Sequence, residues 1–325
     1  MYDILIIKPS SLGDIIHGLQ VAQQIHHAFP SSNIDWVVRD CFCPIIRMVP
    51  WIRNVHIFHR HGGILKFIQL VRKIRQHHYD YILDMQGLAR SGVITYFSHG
   101  DKKVGRDDSR ECSRLSYDTT IDLPQPPSQH AIDILCQFLP VFDMPPKIIS
   151  PLILQPSPSN DISSFINNRD NKRHLIILFP ESRRKEKEWS AFPTLANILS
   201  QNCPSADIII AGQRNHIISS ECNNCYNFSG KTTLDDIVYL IQHATMVVTN
   251  DSAPLHISSA LGKTTVALFG PTEACKFGPY RIARPQHHVI SSNNKNINDL
   301  SLDTVMNACL SKYQECMSEY NESIV

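Results

Sequence analysis

The chain lacks an apolar run long enough to cross a bilayer. Its opening, MYDILIIKPS, has no basic segment leading into a long apolar one, so a cytoplasmic protein is expected. It also lacks a charge of one sign. A balance of 31 Lys+Arg against 30 Asp+Glu leaves +1 and argues against a protein built to hold nucleic acid. Low-complexity tracts are missing, and a hydrophobic fraction of 42% is that of a globular chain. Neither G-x-G-x-x-G nor a Walker lysine loop occurs, so a nicotinamide dehydrogenase and a P-loop nucleotidase both lack their defining loops. The 10 cysteines form no disulfide framework. Cys41/Cys43 and Cys222/Cys225 are the only close pairs, Asn223 and Asn224 make the second a polar loop, and no partner pair stands at zinc-ribbon spacing. Reduced thiols, no metal site and no cofactor are expected.

What is present is an alternation of short branched-apolar runs with amphipathic stretches. Ile4 to Ile7 reads as a buried parallel strand, Pro9 to Asp14 as a loop, and Ile15 to Ile25 as a helix with an apolar stripe. Ile34 to Val38 and Val55 to Phe58 read as strands around a short helix near Ile45 to Val49. Leu65 to His78 predicts an amphipathic helix carrying Lys66, Arg72, Lys73 and Arg75 with no acid, ordinarily a solvated outer face. A strand at Tyr81 to Asp84 and a helix from Leu88 to Phe97 follow. This order calls for a parallel sheet with helices on both faces. Residues 101–130, charged and then proline-rich, read as a long active-site loop, and a helix from His130 to Leu139 closes the half. The densest proline stretch, Asp143 to Asp161, marks the domain linker. The expected division is a domain at 1–150, a linker at 151–160 and a domain at 161–325.

The second half restarts the alternation with a strand at Leu175 to Phe179, a helix at Phe192 to Ser200, a strand at Asp207 to Ala211 and a helix at Leu234 to His243. Lys-rich Glu181 to Trp189 sits at the carboxyl end of its first strand, the edge where open α/β sheets bind ligands. Val247 to Thr272 reads as strand, loop, helix, strand and loop. Asp251 or Ser252 can cap that helix, whose first turn accepts Pro254. Small Ser252 and Ala253 leave room for a phosphate at the helix N–H groups, a plausible diphosphate cradle, although an ordinary capped turn has the same composition. The tail from Leu300 to Cys316 reads as a helix that packs back across the linker. Two α/β halves make a cleft between domains the natural ligand site.

IIKPSSLGDIIH at the N-terminus, D-x-Q-G at Asp84 to Gly87, Gln129-His130-Ala131, NDSAPLH, ALG and FGPT together resemble the ADP-heptose:lipopolysaccharide heptosyltransferases, glycosyltransferase family nine, and most of all their heptosyltransferase I members. The resemblance runs in order along essentially the whole chain. It implies a GT-B fold of two Rossmann-like domains with parallel sheets facing a central cleft, the acceptor held by the first and the nucleotide sugar by the second. It also implies inversion at the anomeric carbon without a required metal. The implied reaction moves heptose from ADP-heptose to the Kdo inner core of a lipid A precursor.

On that resemblance Asp14 is the general base and Lys8, just ahead of the loop, sets the charge around it. Asp14 as a mere helix cap is the plain alternative. Ser182, Lys187, Thr232, Asp251, Ser252, Ala253 and His256 fall on donor-binding positions, with Lys185 a rival to Lys187 because the basic run is one residue longer than the family pattern. Gln213 to His216 stands where the family places a ribose-holding acid, and no carboxylate is there. Ser11, Gly13, Gln86, Arg110 and His130 fall on the acceptor side. Asp133 keeps an acid after His130, and Ile134 replaces an arginine. The implied protein is a monomer peripheral to the inner face of the inner membrane, with the basic helix as a weak attraction to anionic lipid of about 1 kcal/mol per charge. A nucleotide-sugar epimerase of the same architecture, or a silent nucleotide-sugar-binding protein, is the alternative.

Overall fold

The computed structural model describes residues 1–124, 130–215, 223–280 and 287–322, and Gln129, His216 and Cys222 lie outside the described residues. The chain divides into two compact units, Met1–Gln155 and Pro156–Val325, at a point inside the proline-rich stretch.

The first unit starts β1 (Asp3–Ile7), α1 (Leu12–Ala28), β2 (Asn33–Arg39), α2 (Cys43–Arg47) and β3 (Ile52–Phe58). It continues α3 (Gly63–Ile74), β4 (His78–Asp84), α4 (Ala89–Phe97), β5 (His99–Arg106), β6 (Thr119–Ile121) and α5 (Ala131–Cys136). Its sheet is wholly parallel, in the order β3-β2-β1-β4-β5-β6. Helices cover both faces of the central strands, so Ile4, Leu5, Ile6 and Ile7 are all buried and the alternation of a one-sided strand disappears. The strand order reverses between β1 and β4. At such a switch point the following loops diverge to opposite faces and leave a crevice at the carboxyl ends of the strands.

Residues 101–130 differ from the loop expected of them, since they contain most of β5 and all of β6. Within HGDKKVGR only Val104 is a buried hydrophobe, so the strand has no apolar signature and is held by its ladder to β4. The helix expected to run to His78 ends at Ile74, and β4 begins at His78.

The second unit starts α6 (Asn160–Asn168), β7 (His174–Phe179), α7 (Phe192–Asn202), β8 (Ala206–Gly212) and β9 (Cys225–Ser229). It continues α8 (Leu234–His243), β10 (Met246–Asn250), α9 (Ala253–Ala260), β11 (Thr264–Phe269), α10 (Ala274–Phe277), β12 (His287–Ser291) and α11 (Leu302–Glu322). The sheet order, β12-β11-β10-β7-β8-β9, repeats the topology of the first unit, with its own switch point between β7 and β10. Polar edge strands β9 and β12 carry little apolar signal, and Cys225 opens a strand where a loop was expected. The tail helix α11 buries Val305, Cys309 and Tyr313 in the core of its own unit. The nine described cysteines are free thiols.

Candidate active site

Each switch point is bridged by side chains from the two strands that flank it. In the first unit, β1 runs out into Lys8-Pro9-Ser10-Ser11 and β4 into Met85-Gln86-Gly87. Lys8 is 2% exposed, and its Nζ donates to the Met85 carbonyl at 3.0 Å. The Ser10 amide donates to Gln86 Oε1 at 3.3 Å. Ser11 then caps α1 through a short acidic box, its amide and hydroxyl donating to Asp14 Oδ2 at 3.0 and 2.7 Å. Asp14 Oδ1 receives no hydrogen bond from the described residues. Gly13 is buried in the same turn.

Burial opposes the charge on Asp14. The positive field of Lys8 and the two bonds from Ser11 outweigh it and bring the carboxyl down to about 2. Lys8 is shifted below the usual lysine range by its burial, against which the negative field of Asp14 acts.

The Gln86-Gly87 turn has its own support. Asp84, fully buried at the end of β4, accepts from the Gln86 and Gly87 amides at 2.9 and 3.0 Å and from the Tyr117 hydroxyl at 2.8 Å. Burial pushes the Asp84 carboxyl up while these donors pull it down, and burial wins. The Tyr117 ring occupies the space where a Cβ at position 105 would be, so only glycine fits there. The Arg110 amide donates to the Gly87 carbonyl at 2.9 Å, which ties the arginine-bearing loop to the same turn and leaves Arg110 exposed. His130 caps α5, its Nδ1 accepting from the Ile132 amide at 3.3 Å, and its ring lies 5.9 Å from that of His17. The sequence reading missed His17. It stands one turn beyond Asp14, and that spacing was the available signal.

In the second unit, Asn250 Nδ2 at the end of β10 donates to the Pro180 carbonyl after β7 at 2.7 Å. Lys187 Nζ lies 2.6 Å from Asp251 Oδ2, and the Thr272 hydroxyl donates to that oxygen at 2.6 Å. The Ser182 hydroxyl donates to the Asp251 carbonyl at 3.3 Å. Ser252, not Asp251, is the N-cap residue of α9, and its hydroxyl makes no capping bond. Ala253 and Pro254 form the first helical positions, with His256 half-buried in the same turn. Lys187 is therefore part of the loop cluster, whereas Lys185 is exposed. Thr272, the last residue of FGPT, was not singled out from sequence. Its role emerges only when β11 sets it beside β10.

Thr232 stands apart from that cluster, its hydroxyl bound to the Gly212 carbonyl at 3.0 Å. Gln213 and Arg214 do meet a carboxylate in space. Glu181, from the end of β7, accepts from the Gln213 and Arg214 amides at 2.9 and 2.6 Å. A Cβ at Gly212 would approach this carboxylate to 2.7 Å, so glycine is what admits it. Arg214 also pairs with Glu188.

The family model of glycosyltransferase family 9 (heptosyltransferase) matches residues 67–308. The chain belongs to that family. The lipopolysaccharide core heptosyltransferase OpsX of Haemophilus influenzae is 23% identical over 85% of this chain and 81% of its own. Lipooligosaccharide heptosyltransferase 2 of Haemophilus ducreyi is 27% identical over 83% of each chain. In fold, this family 9 glycosyltransferase resembles the Escherichia coli heptosyltransferase WaaC solved with ADP, at a TM-score of 0.77 and 19% identity over 95% of this chain and 99% of that one. A family 9 glycosyltransferase from Veillonella parvula superposes at a TM-score of 0.81, with 18% identity over 97% and 98% of the two chains. The two parallel six-stranded sheets are those of the GT-B glycosyltransferases.

Proposed function

We propose that this glycosyltransferase moves heptose from ADP-heptose onto a Kdo residue of a lipid A precursor, with inversion at the anomeric carbon and Asp14 as general base. The observation that carries the reading is the state of Asp14. It is held ionised, it spends one oxygen on Ser11, and the other oxygen receives no hydrogen bond from the described residues. A single carboxylate that accepts the proton of an attacking hydroxyl suits direct displacement. A carboxylate of such low basicity removes little proton before bond formation, so proton transfer accompanies attack. The Lys8 field that keeps Asp14 ionised also suits an acceptor bearing a carboxylate, as Kdo does, and exposed Arg110 adds a second cation.

In this reading the acceptor binds the first unit and the donor the second. The diphosphate lies against the α9 amino end, where helix N–H groups and the Ser252 hydroxyl receive it, and Lys187 meets the charge that grows as the sugar leaves. These groups supply the leaving-group stabilisation without a required metal. OpsX and the Haemophilus ducreyi relative are named for work on lipopolysaccharide and lipooligosaccharide, whose precursors are lipid-anchored, so the reaction belongs at a membrane surface.

The test is product formation from ADP-heptose with and without a Kdo-bearing lipid A acceptor, for the wild type and Asp14→Ala, in buffer with chelator. Acceptor-dependent β-to-α or α-to-β inversion, abolished by Asp14→Ala while ADP binding persists, is expected. Turnover of the donor alone would point to an epimerase or hydrolase instead.

A further inference from the structure

We propose that the outward face of α3 is a docking surface for an anionic lipid bilayer, with Leu65 and Ile68 entering the headgroup boundary. The helix buries Leu70 and Ile74, with Phe67 and Val71 packed against the same core. On a helical wheel Leu65 and Arg72 point directly away from that stripe, with Ile68 beside them. Ile64 is 68% exposed, Leu65 73% and Ile68 38%. These residues contribute nothing to the core, and a purely solvated face has no use for three large aliphatic side chains in its first two turns.

The charge on this element fits one kind of partner. From Cys41 to Tyr79 the chain holds no Asp or Glu, while it holds seven Arg or Lys. Lys66, Arg72, Lys73 and Arg75 are exposed, and none of them forms an ion pair with a carboxylate among the described residues. Arg75 Nε donates to His99 Nε2 at 3.0 Å, which sets the last turn of α3 beside the segment following α4. Tyr96 and Phe97, the last residues of α4, are also exposed, with Lys103 Nζ 5.9 Å from the Tyr96 ring centre. Apolar side chains next to unpaired cations, with aromatic rings at the far end of the helix, are the composition of a surface that lies in a lipid interface.

The placement suits the reaction. Because β3 is parallel to β1, α3 starts at the carboxyl edge of the sheet, the edge that carries Lys8 and Asp14. A bilayer met by the first turns of α3 therefore lies at the same edge of the sheet as Asp14, the proposed base for a lipid-anchored acceptor. This last step rests on the proposed acceptor, whereas the docking itself does not.

The experiment is flotation of the full chain with phosphatidylcholine vesicles, with and without roughly one-third phosphatidylglycerol. The wild type should float with the mixed vesicles and stay behind with pure phosphatidylcholine. Arg72→Gln/Lys73→Gln should lower the partition constant by roughly fivefold per charge, an effect that salt reproduces in the wild type. Leu65→Ser/Ile68→Ser should abolish flotation at high salt and low. Both variants should keep the wild-type circular dichroism, ADP affinity and transfer to a deacylated, water-soluble acceptor. Absence of wild-type flotation, or equal flotation of the variants, overturns the proposal. So does a wild-type dimer in sedimentation that Leu65→Ser/Ile68→Ser dissolves, which would assign the face to a second copy of the chain. If flotation behaves as expected and transfer to the soluble acceptor fails in the wild type, the acceptor assignment falls and the docking surface stands.

Discussion

Lys187 Nζ lies 2.6 Å from Asp251 Oδ2, so the cation proposed to meet the donor phosphates is tethered at the start of α9. The tether is shared with the Thr272 hydroxyl at 2.6 Å on the same oxygen, and both Lys187 and Asp251 are largely shielded from water. A lysine side chain has rotamer freedom that must be given up when it meets a phosphate. Here Asp251 has already fixed it. The cost is that part of the positive charge is neutralised before the donor arrives.

Removing the cation and removing its tether should therefore differ. Lys187→Ala is expected to lower kcat by roughly a hundredfold or more, since it removes the charge proposed to act on the departing diphosphate. Asp251→Asn keeps Lys187 charged and releases it from its ion pair, so its main effect should be a raised KM for the donor. Steady-state kinetics with varied ADP-heptose separate the two. Equal, small effects of Lys187→Ala and Lys185→Ala would remove Lys187 from the role.

If Asp14 is the base, as proposed, its titration sets the acid side of the pH profile. Its folded carboxyl is lowered to about 2 from an unfolded value near 4. It is thus ionised throughout the range in which the protein works, and kcat/KM should show no loss of the base between pH 8 and about pH 5. The same shift contributes stability that is present above the unfolded value and is lost as pH falls towards the folded one. Asp14→Asn should lower transfer by several orders of magnitude while flattening the stability loss below about pH 4. A profile with an acid limb near neutrality that Asp14→Asn removes would contradict this geometry.

The alternation of strands and helices was legible because β1, β2, β7, β8, β10 and β11 are buried on both faces and therefore apolar along most of their length. β5, β9 and β12 were not. Their backbones are ordered by pairing with a neighbour, and pairing leaves no mark on side chains that face solvent. The loops at the switch points were legible as motifs because residues adjacent in sequence, Ser11 with Asp14 and Ser252 with Ala253, lie in a single turn. Glu181 beneath the Gln213 loop, Thr272 on Asp251, and Tyr117 on Asp84 join residues separated by more than twenty positions. Only the strand order brings them together, so no local pattern announced them.

The Tyr117 and Asp84 pair offers a test of how the first switch point is held. Asp84 is fully buried and its carboxyl is raised by that burial, so the folded chain binds this proton more tightly than the unfolded chain does. Stability from this group falls as pH rises from the unfolded value through the folded one. Tyr117→Phe keeps the ring that packs over Gly105 and removes one of the donors that oppose the shift. Loss of a hydrogen bond to the buried carboxylate should cost about 2 kcal/mol where the group is ionised. It should cost less where the acid form is populated, since that form tolerates the missing donor. Urea unfolding across a pH series reads the difference, alongside the acceptor KM, which should rise because Asp84 also orders the Gln86 and Gly87 amides. A pH-independent loss of stability with an unchanged KM would mean that the hydroxyl serves packing alone and that the Gln86 turn is held by its backbone.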